Sequence, residues 1–192
     1  KNFSFQFLGI LPTPIFYYEV IKRKRPGIMI TASHLPLKYS GLKFILSNGE
    51  PWKPDIRKIE SNGNIINFTP SKQNLFRPVS SIYKNYFNLL NKIIQPKKKI
   101  YVNFDEKNFF LNFSLPYFQK LKIYHQKNSF IKIKSDGDND RIFIFIKNKK
   151  IHNDLIFYFL ARFSKYKKLG IPIFFSQKLK NELLKIGKKI YF

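Results

Sequence analysis

Residues 131–146 read Ile-Lys-Ile-Lys-Ser-Asp-Gly-Asp-Asn-Asp-Arg-Ile-Phe-Ile-Phe-Ile, and the fold class turns on them. Ile131 and Ile133 alternate with Lys132 and Lys134, the period of a strand with one covered face, and Ile142–Ile146 resumes as an apolar strand. The polar run Ser135–Arg141 between them therefore closes a hairpin, and it holds Asp136, Asp138 and Asp140. Upstream, Ile100–Phe104 reads as a strand and a short helix is expected from about Ser114. Downstream, a turn at Asn148 leads to a helix capped by Asn153 and running to about Phe163. A strand over Ile171–Phe175, a helix from the N-cap Ser176 to Ile186, a stop at Gly187 and a strand over Lys188–Phe192 complete the C-terminal reading.

The N-terminal half has the same alternation. A strand is expected over 5–10, a turn over Leu11–Pro14, and a helix to about Lys24 with Pro14 in its first turn, where a missing N–H costs nothing. Strands follow at Ile28–Thr31 and Leu42–Leu46, then turns at 48–54 and 61–64 around a short helix. Ile82, Tyr86, Leu89, Leu90 and Ile93 fall at helical spacing, started by Ser80 or Ser81 and stopped before Pro96. The expected fold is α/β, with layered mixed, largely parallel sheets and flanking helices. We divide it at the Pro- and Lys-rich stretch Gln95–Lys99 into 1–95 and 96–169, with 170–192 opening a further unit.

Composition narrows the function classes. With 44% hydrophobic and 18% aromatic residues among 192, the chain has enough apolar side chain to build a core, which excludes a disordered tail. The absence of Cys removes disulfides, thiolate metal sites and cysteine nucleophiles, and fits a reducing, cytoplasmic location. No apolar run reaches the roughly 18–20 residues of a membrane helix, so no membrane partner is expected. The formal charge of +25 is the footprint of a nucleic-acid binder. Yet the basic residues are 30 Lys against only 6 Arg, accompanied by 22 Phe and 11 Tyr, all types with AT-rich codons, and no basic run exceeds four residues. Nucleic acid is therefore not expected as the primary partner, because nucleic-acid readers lean on Arg for bidentate contacts.

The hairpin loop concentrates three of the eleven acidic residues of a basic chain in five positions. Carboxylates so placed repel one another unless a hard divalent cation sits among their oxygens, and Mg²⁺ prefers such ligands. An EF-hand would need Gly and Glu where the chain has Arg141 and Lys147, and its flanks would be helices. A hard-cation loop is favoured over a bare surface turn. Ser33 and His34 lie in a second loop, after the strand Ile28–Thr31, where α/β folds place ligands. Taken alone the pair reads as an ordinary turn: there is no nucleophile elbow, and neighbours in sequence rarely point correctly to act as nucleophile and base. His125 and His152 are isolated and receive no role.

Together these segments carry a resemblance. Gly27–Phe44, with Thr31-Ala32-Ser33-His34-Leu35-Pro36 at its centre, resembles the phosphoserine loop of the α-D-phosphohexomutases, the phosphomannomutase and phosphoglucomutase group. Gly9–Pro14 is similar to that family's Gly-x-x-Pro-Thr-Pro turn, and Asp136–Arg141 is similar to its magnesium loop; the three occur in the family's order. The resemblance implies shortened forms of the family's domains 1 and 2, the start of domain 3 from Gly170, and a chain truncated at both ends. It implies phosphoryl transfer between C1 and C6 of a hexose phosphate through a phosphorylated Ser33. Mg²⁺ would be held by Ser33, Asp136, Asp138 and Asp140, His34 would support the phosphoserine, Lys43 would shuttle a proton, and Arg141 would bind substrate. Leu35 and Ser40 stand where the family has Asn. A complementary chain supplying the missing domains is an implied partner. The alternatives are a catalytically impaired fragment and a basic nucleic-acid-binding protein.

Overall fold

Pro12 holds extended backbone and Pro14 sits in the first turn, so helix α1 (Thr13–Arg23) begins where the proline pair dictates. It ends at Lys24, whose left-handed conformation (φ 52°) returns its N–H to the last carbonyls. The computed structural model describes residues 5–32, 38–53 and 78–192. α1 buries Ile15, Phe16 and Val20 together with Glu19, whose carboxylate, wholly removed from solvent, accepts from Arg23 Nε at 2.7 Å one turn on. Burying a carboxylate is costly without such a partner.

Strands β1 (Gly27–Thr31) and β2 (Gly41–Ile45) pair antiparallel with Met29 opposite Lys43, and β3 (Pro51–Trp52) extends the sheet beyond β2. Gly27 is required by packing: a Cβ there would stand 2.7 Å from both Phe16 Cζ and Val20 Cγ2 of α1. The expected short helix between residues 54 and 61, and the loop 33–37, lie outside the described residues.

Helix α2 (Ser80–Ile93) presents Ile82, Tyr83 and Phe87 to the same core as α1. Strand β4 (Ile100–Phe104) follows, then helix α3 (Phe109–Lys120), β5 (Ile123–His125), β6 (Ile131–Ser135), β7 (Ile142–Ile146) and β8 (Lys149–Lys150). They form one mixed sheet in the order β5-β4-β6-β7-β8, in which β4 runs parallel to β5 and β6 while β6, β7 and β8 form antiparallel pairs. Tyr83 of α2 packs on Phe113 of α3 with ring centroids 4.6 Å apart, and Phe118 of α3 stacks on Phe104 of β4 at 5.0 Å. Aromatic packing thus joins α1 and α2, through α3, to the five-stranded sheet.

Helix α4 (Asn153–Phe163), strand β9 (Lys168–Gly170), helix α5 (Gln177–Lys185) and strand β10 (Lys189–Tyr191) close the chain, β9 and β10 being parallel. Ala161, Leu179 and Leu183 form their core. Gly187 takes φ 77°, the left-handed turn expected after α5.

The mixed α/β architecture agrees with the sequence, and three local expectations are corrected. Residues 5–9 form no strand; Gly9 turns there with φ 79°. α3 starts at Phe109 rather than near Ser114, because the Asn108 side chain accepts from Leu111 N at 3.0 Å and nucleates the helix earlier. The strand expected at Ile171–Phe175 lies instead at Lys168–Gly170. Pro172 has no N–H to extend the ladder, which ends with Ile171 N donating to Tyr191 O, and Phe175 N turns back to Pro172 O.

Candidate functional site

The loop between β6 and β7 is tied by its own side chains. Beyond the last strand pair, Ser135 with Ile142, Asp136 Oδ1 accepts from Arg141 N at 3.2 Å and Ser135 Oγ donates to Arg141 O at 2.7 Å. Asn139 adopts φ 57°, a conformation that Asn tolerates better than most residues. Asn108 reaches across from the start of α3: its Nδ2 donates to Asp136 O at 3.0 Å and to Asn139 Oδ1 at 2.9 Å, while its Oδ1 caps the helix.

Two further segments converge on the same loop from 95 and 125 residues away in sequence. The first residue of α1, Thr13, donates through its N–H to Asp138 O at 2.8 Å and through Oγ1 to Asp138 Oδ2 at 3.2 Å. One of the orphan donors at the helix start is thereby satisfied, and the positive end of the α1 dipole faces the loop. From β2, Lys43 Nζ donates to Asp138 Oδ2 at 2.8 Å and to Asp140 Oδ2 at 3.3 Å. Arg141 Nε stands 3.7 Å from Asp136 Oδ2 and 3.8 Å from Asp140 Oδ1.

The electrostatics follow from this arrangement. Burial works to raise the Asp138 carboxyl, but Lys43 and Thr13 outweigh it and hold Asp138 below the usual carboxylate range. Burial pushes Asp136 up, and the neighbouring Asp140 and Asp138 push it further against the opposing Arg141 N–H. For Lys43, burial favours the neutral amine, and Asp138 and Asp140 reverse this, leaving the ammonium favoured beyond its ordinary range.

One carboxylate oxygen from each of Asp136, Asp138 and Asp140 lies within 4.8 Å of the others. Asp136 Oδ2 and Asp138 Oδ1 are buried with no hydrogen-bond partner among the described residues. Buried carboxylate oxygens that accept no hydrogen bond carry a desolvation cost that a bound cation removes. An all-oxygen, strongly anionic donor set suits a hard divalent ion, so the residues fit Mg²⁺. Beside the loop opens a cleft of about 520 Å³ lined by Thr13, Tyr17, Lys43, Trp52, Lys53 and Asp140.

Of the residues singled out in the sequence, the structure brings Lys43, Asp136, Asp138, Asp140 and Arg141 together. Ser33 and His34 lie outside the described residues. Thr13 and Asn108 were given no role by the sequence. In the sequence Thr13 stands out only as part of the Pro-Thr-Pro turn, and the one signal for Asn108 is its place ahead of a helix, where Asn is a favoured cap.

Comparison with known proteins finds sugar-phosphate mutases. Residues 1–69 match the family model of phosphoglucomutase/phosphomannomutase, alpha/beta/alpha domain I. The chain is 40% identical over 55 residues to a phosphomannomutase of Salmonella muenchen, covering 29% of this chain and 12% of that protein. It is 29% identical over 181 residues to a phosphoglucosamine mutase of Thermosipho africanus, covering 77% of this chain and 42% of that one. The fold superposes on a phosphoglucomutase/phosphomannomutase family protein from Burkholderia thailandensis with a TM-score of 0.73 at 15% identity, over 95% of this chain and 50% of the other. The fold as a whole is therefore the one seen in that solved protein. Residues 1–69 resemble domain I of the phosphoglucomutase/phosphomannomutase family. The chain spans about half the length of that solved relative, and less of the sequence relatives. No described helix is long and apolar enough to cross a membrane.

Proposed function

We propose that the chain carries the phosphoserine and metal half of a phosphohexomutase active site, acting on a hexose or hexosamine phosphate. The observation that carries this reading is the convergence of Thr13 and Lys43 on the three aspartates beside the cleft, with two buried carboxylate oxygens that accept no hydrogen bond among the described residues.

In this reading Ser33, in the loop after β1, carries the phosphoryl group. The Ser33 Oγ–P bond breaks as a P–O bond forms to a sugar hydroxyl, the hydroxyl proton leaves, and the Ser33 hydroxyl is regenerated by protonation. The resulting bisphosphate returns its other phosphoryl group to Ser33, so the phosphate moves between C1 and C6. Asp136, Asp138 and Asp140, with the Ser33 oxygen, would hold Mg²⁺, which supplies neutralisation of the phosphoryl charge. Such transfer needs positioning and charge stabilisation more than covalent participation, which is what a rigid loop on a sheet provides. Thr13 and Asn108 fix the loop. Lys43, at the edge of the cleft, enters as the proton shuttle, Arg141 braces the loop and contacts substrate, and His34 supports the phosphoserine. Further domains, in the same polypeptide or a complementary chain, would clamp the sugar and its distal phosphate.

Intact-mass spectrometry and peptide mapping test the proposal. Incubation with a hexose 1,6-bisphosphate and Mg²⁺ is expected to add one phosphoryl group at Ser33, absent in Ser33→Ala. Phosphorylation at scattered sites, or none on a folded chain, contradicts it.

A further inference from the structure

Lys43 is placed where a cation belongs. Its Nζ lies 2.8 Å from Asp138 Oδ2 and 3.3 Å from Asp140 Oδ2, bridging two of the three carboxylates, and its side chain is 30% exposed along the cleft it also lines. The third carboxylate, Asp136, is left to Arg141 Nε at the longer distance of 3.7 Å. Asp138 shares one oxygen between Lys43 and Thr13, while its other oxygen, buried, has no hydrogen-bond partner among the described residues. The loop is thus held together without a metal by a side chain from a different sheet, yet its donor set is only partly used.

We infer that Lys43 is an internal counter-cation of the acidic loop, and that a divalent ion entering the loop displaces its ammonium from Asp138 and Asp140 into the adjoining cleft. The inference rests on the aspartates being a metal site. Each lone pair that Asp138 and Asp140 give to the ammonium is withdrawn from the ion, and an ammonium left within about 3–4 Å of a divalent ion would repel it in a partly desolvated site. The way out is short, because the amine already borders an open cleft of about 520 Å³ beside Tyr17, Trp52 and Lys53. Lys43 therefore makes the metal-free loop more stable and the metal weaker, and metal loading presents a free amine to whatever occupies the cleft. Metal would bind first and substrate second. Lys43 acts on metal affinity as a positioning residue, through the aspartates.

Calorimetric titration with Mn²⁺ alone, on the folded chain, tests this. Lys43→Met is expected to bind Mn²⁺ on the order of tenfold more tightly than wild type, about 1.4 kcal/mol, while unfolding at a lower temperature in chelator. Lys43→Arg, which keeps the charge, is expected to show no such gain. Unchanged or weaker binding in Lys43→Met overturns the inference. Should Lys43→Met fail to fold, amine acylation of the wild-type protein, read by peptide mass spectrometry, decides: Lys43 labelling is expected to rise several-fold on adding Mn²⁺, and constant or falling labelling overturns the inference. Absence of Mn²⁺ binding by the wild type, or binding that Asp138→Ala leaves intact, refutes the metal site itself, a separate result from binding that ignores Lys43.

Discussion

Asp138→Asn removes one charge at the point where three distant segments meet, and the structure sets the size of the effect. The residue is 3% exposed, and its Oδ2 accepts from Lys43 Nζ at 2.8 Å and Thr13 Oγ1 at 3.2 Å. A hydrogen bond to a charged group contributes about 1.5–3 kcal/mol. Asn keeps a neutral acceptor for Thr13, so the main loss is the ion pair, and that pair is discounted because Lys43 is 30% exposed and retains Asp140. Relief of repulsion within the metal-free loop offsets part of the remainder. We expect a net destabilisation of about 1–2 kcal/mol at pH 7 in chelator. Asp140→Asn provides the comparison. Asp140 is 32% exposed, its contacts with Lys43 and Arg141 are longer at 3.3 and 3.8 Å, and the substitution should lie within about 0.5 kcal/mol of wild type. The pH dependence has a fixed sign. Since Asp138 titrates below its unfolded range of about 3.9, its contribution is present above that pH and is lost as pH falls through the lower folded value. The gap between wild type and Asp138→Asn should therefore hold from about pH 7 to 5 and close below about pH 4. Urea melts across that range measure it. An Asp138→Asn protein within about 0.3 kcal/mol of wild type at pH 7, or an Asp140→Asn protein less stable than it, refutes the reasoning.

Substitutions at three other residues probe the frame around the site. Tyr83, wholly buried between α2 and α3, should cost about 3–5 kcal/mol on truncation to Ala, read by chemical denaturation. Burial, then Tyr117, raises the Tyr83 phenol well above its ordinary value, so its contribution is full below about pH 10 and falls as pH rises past it; Tyr83→Phe should flatten the alkaline limb of a melting-temperature profile. Asn108→Ala removes a helix cap and two loop contacts at once and should cost about 1–2 kcal/mol, with Mn²⁺ affinity falling alongside stability in a paired melt and titration. Gly27→Val drives a side chain into Phe16 and Val20, and thermal melts should show a loss of about 1–3 kcal/mol.

The parts of the fold that could be read in advance are those where local chemistry and tertiary context agree. Pro12 and Pro14 start α1, Ser176 and Gly187 bracket α5, and the alternation of Ile131 to Lys134 pairs β6 with β7, all visible in sequence. Disagreement hid the rest. The aromatic run Phe109-Phe110 and the internal Pro116 obscure the periodicity of α3, whose start depends on the Asn108 side chain. Ile171–Phe175 has the composition of a strand, yet Pro172 cannot donate to a ladder, so pairing stops at Gly170 and Ile171. For the site, the aspartate cluster was legible because like charges in a basic chain require a cause, and Lys43 through its place in the family pattern. The double contact of Thr13 with Asp138 was not, since no spacing rule relates residues 125 apart.

In the proposed mechanism Ser33 and the acidic loop between β6 and β7 share one divalent ion. Phosphorus-31 electron–nuclear double resonance on the Mn²⁺-loaded protein, phosphorylated at Ser33, tests it most directly. One bound Mn²⁺ is expected, with a phosphorus coupling large enough to require a directly coordinated phosphate oxygen, and loss of that signal in Asp138→Ala. Stoichiometric Mn²⁺ at the aspartates with no phosphorus coupling would contradict it.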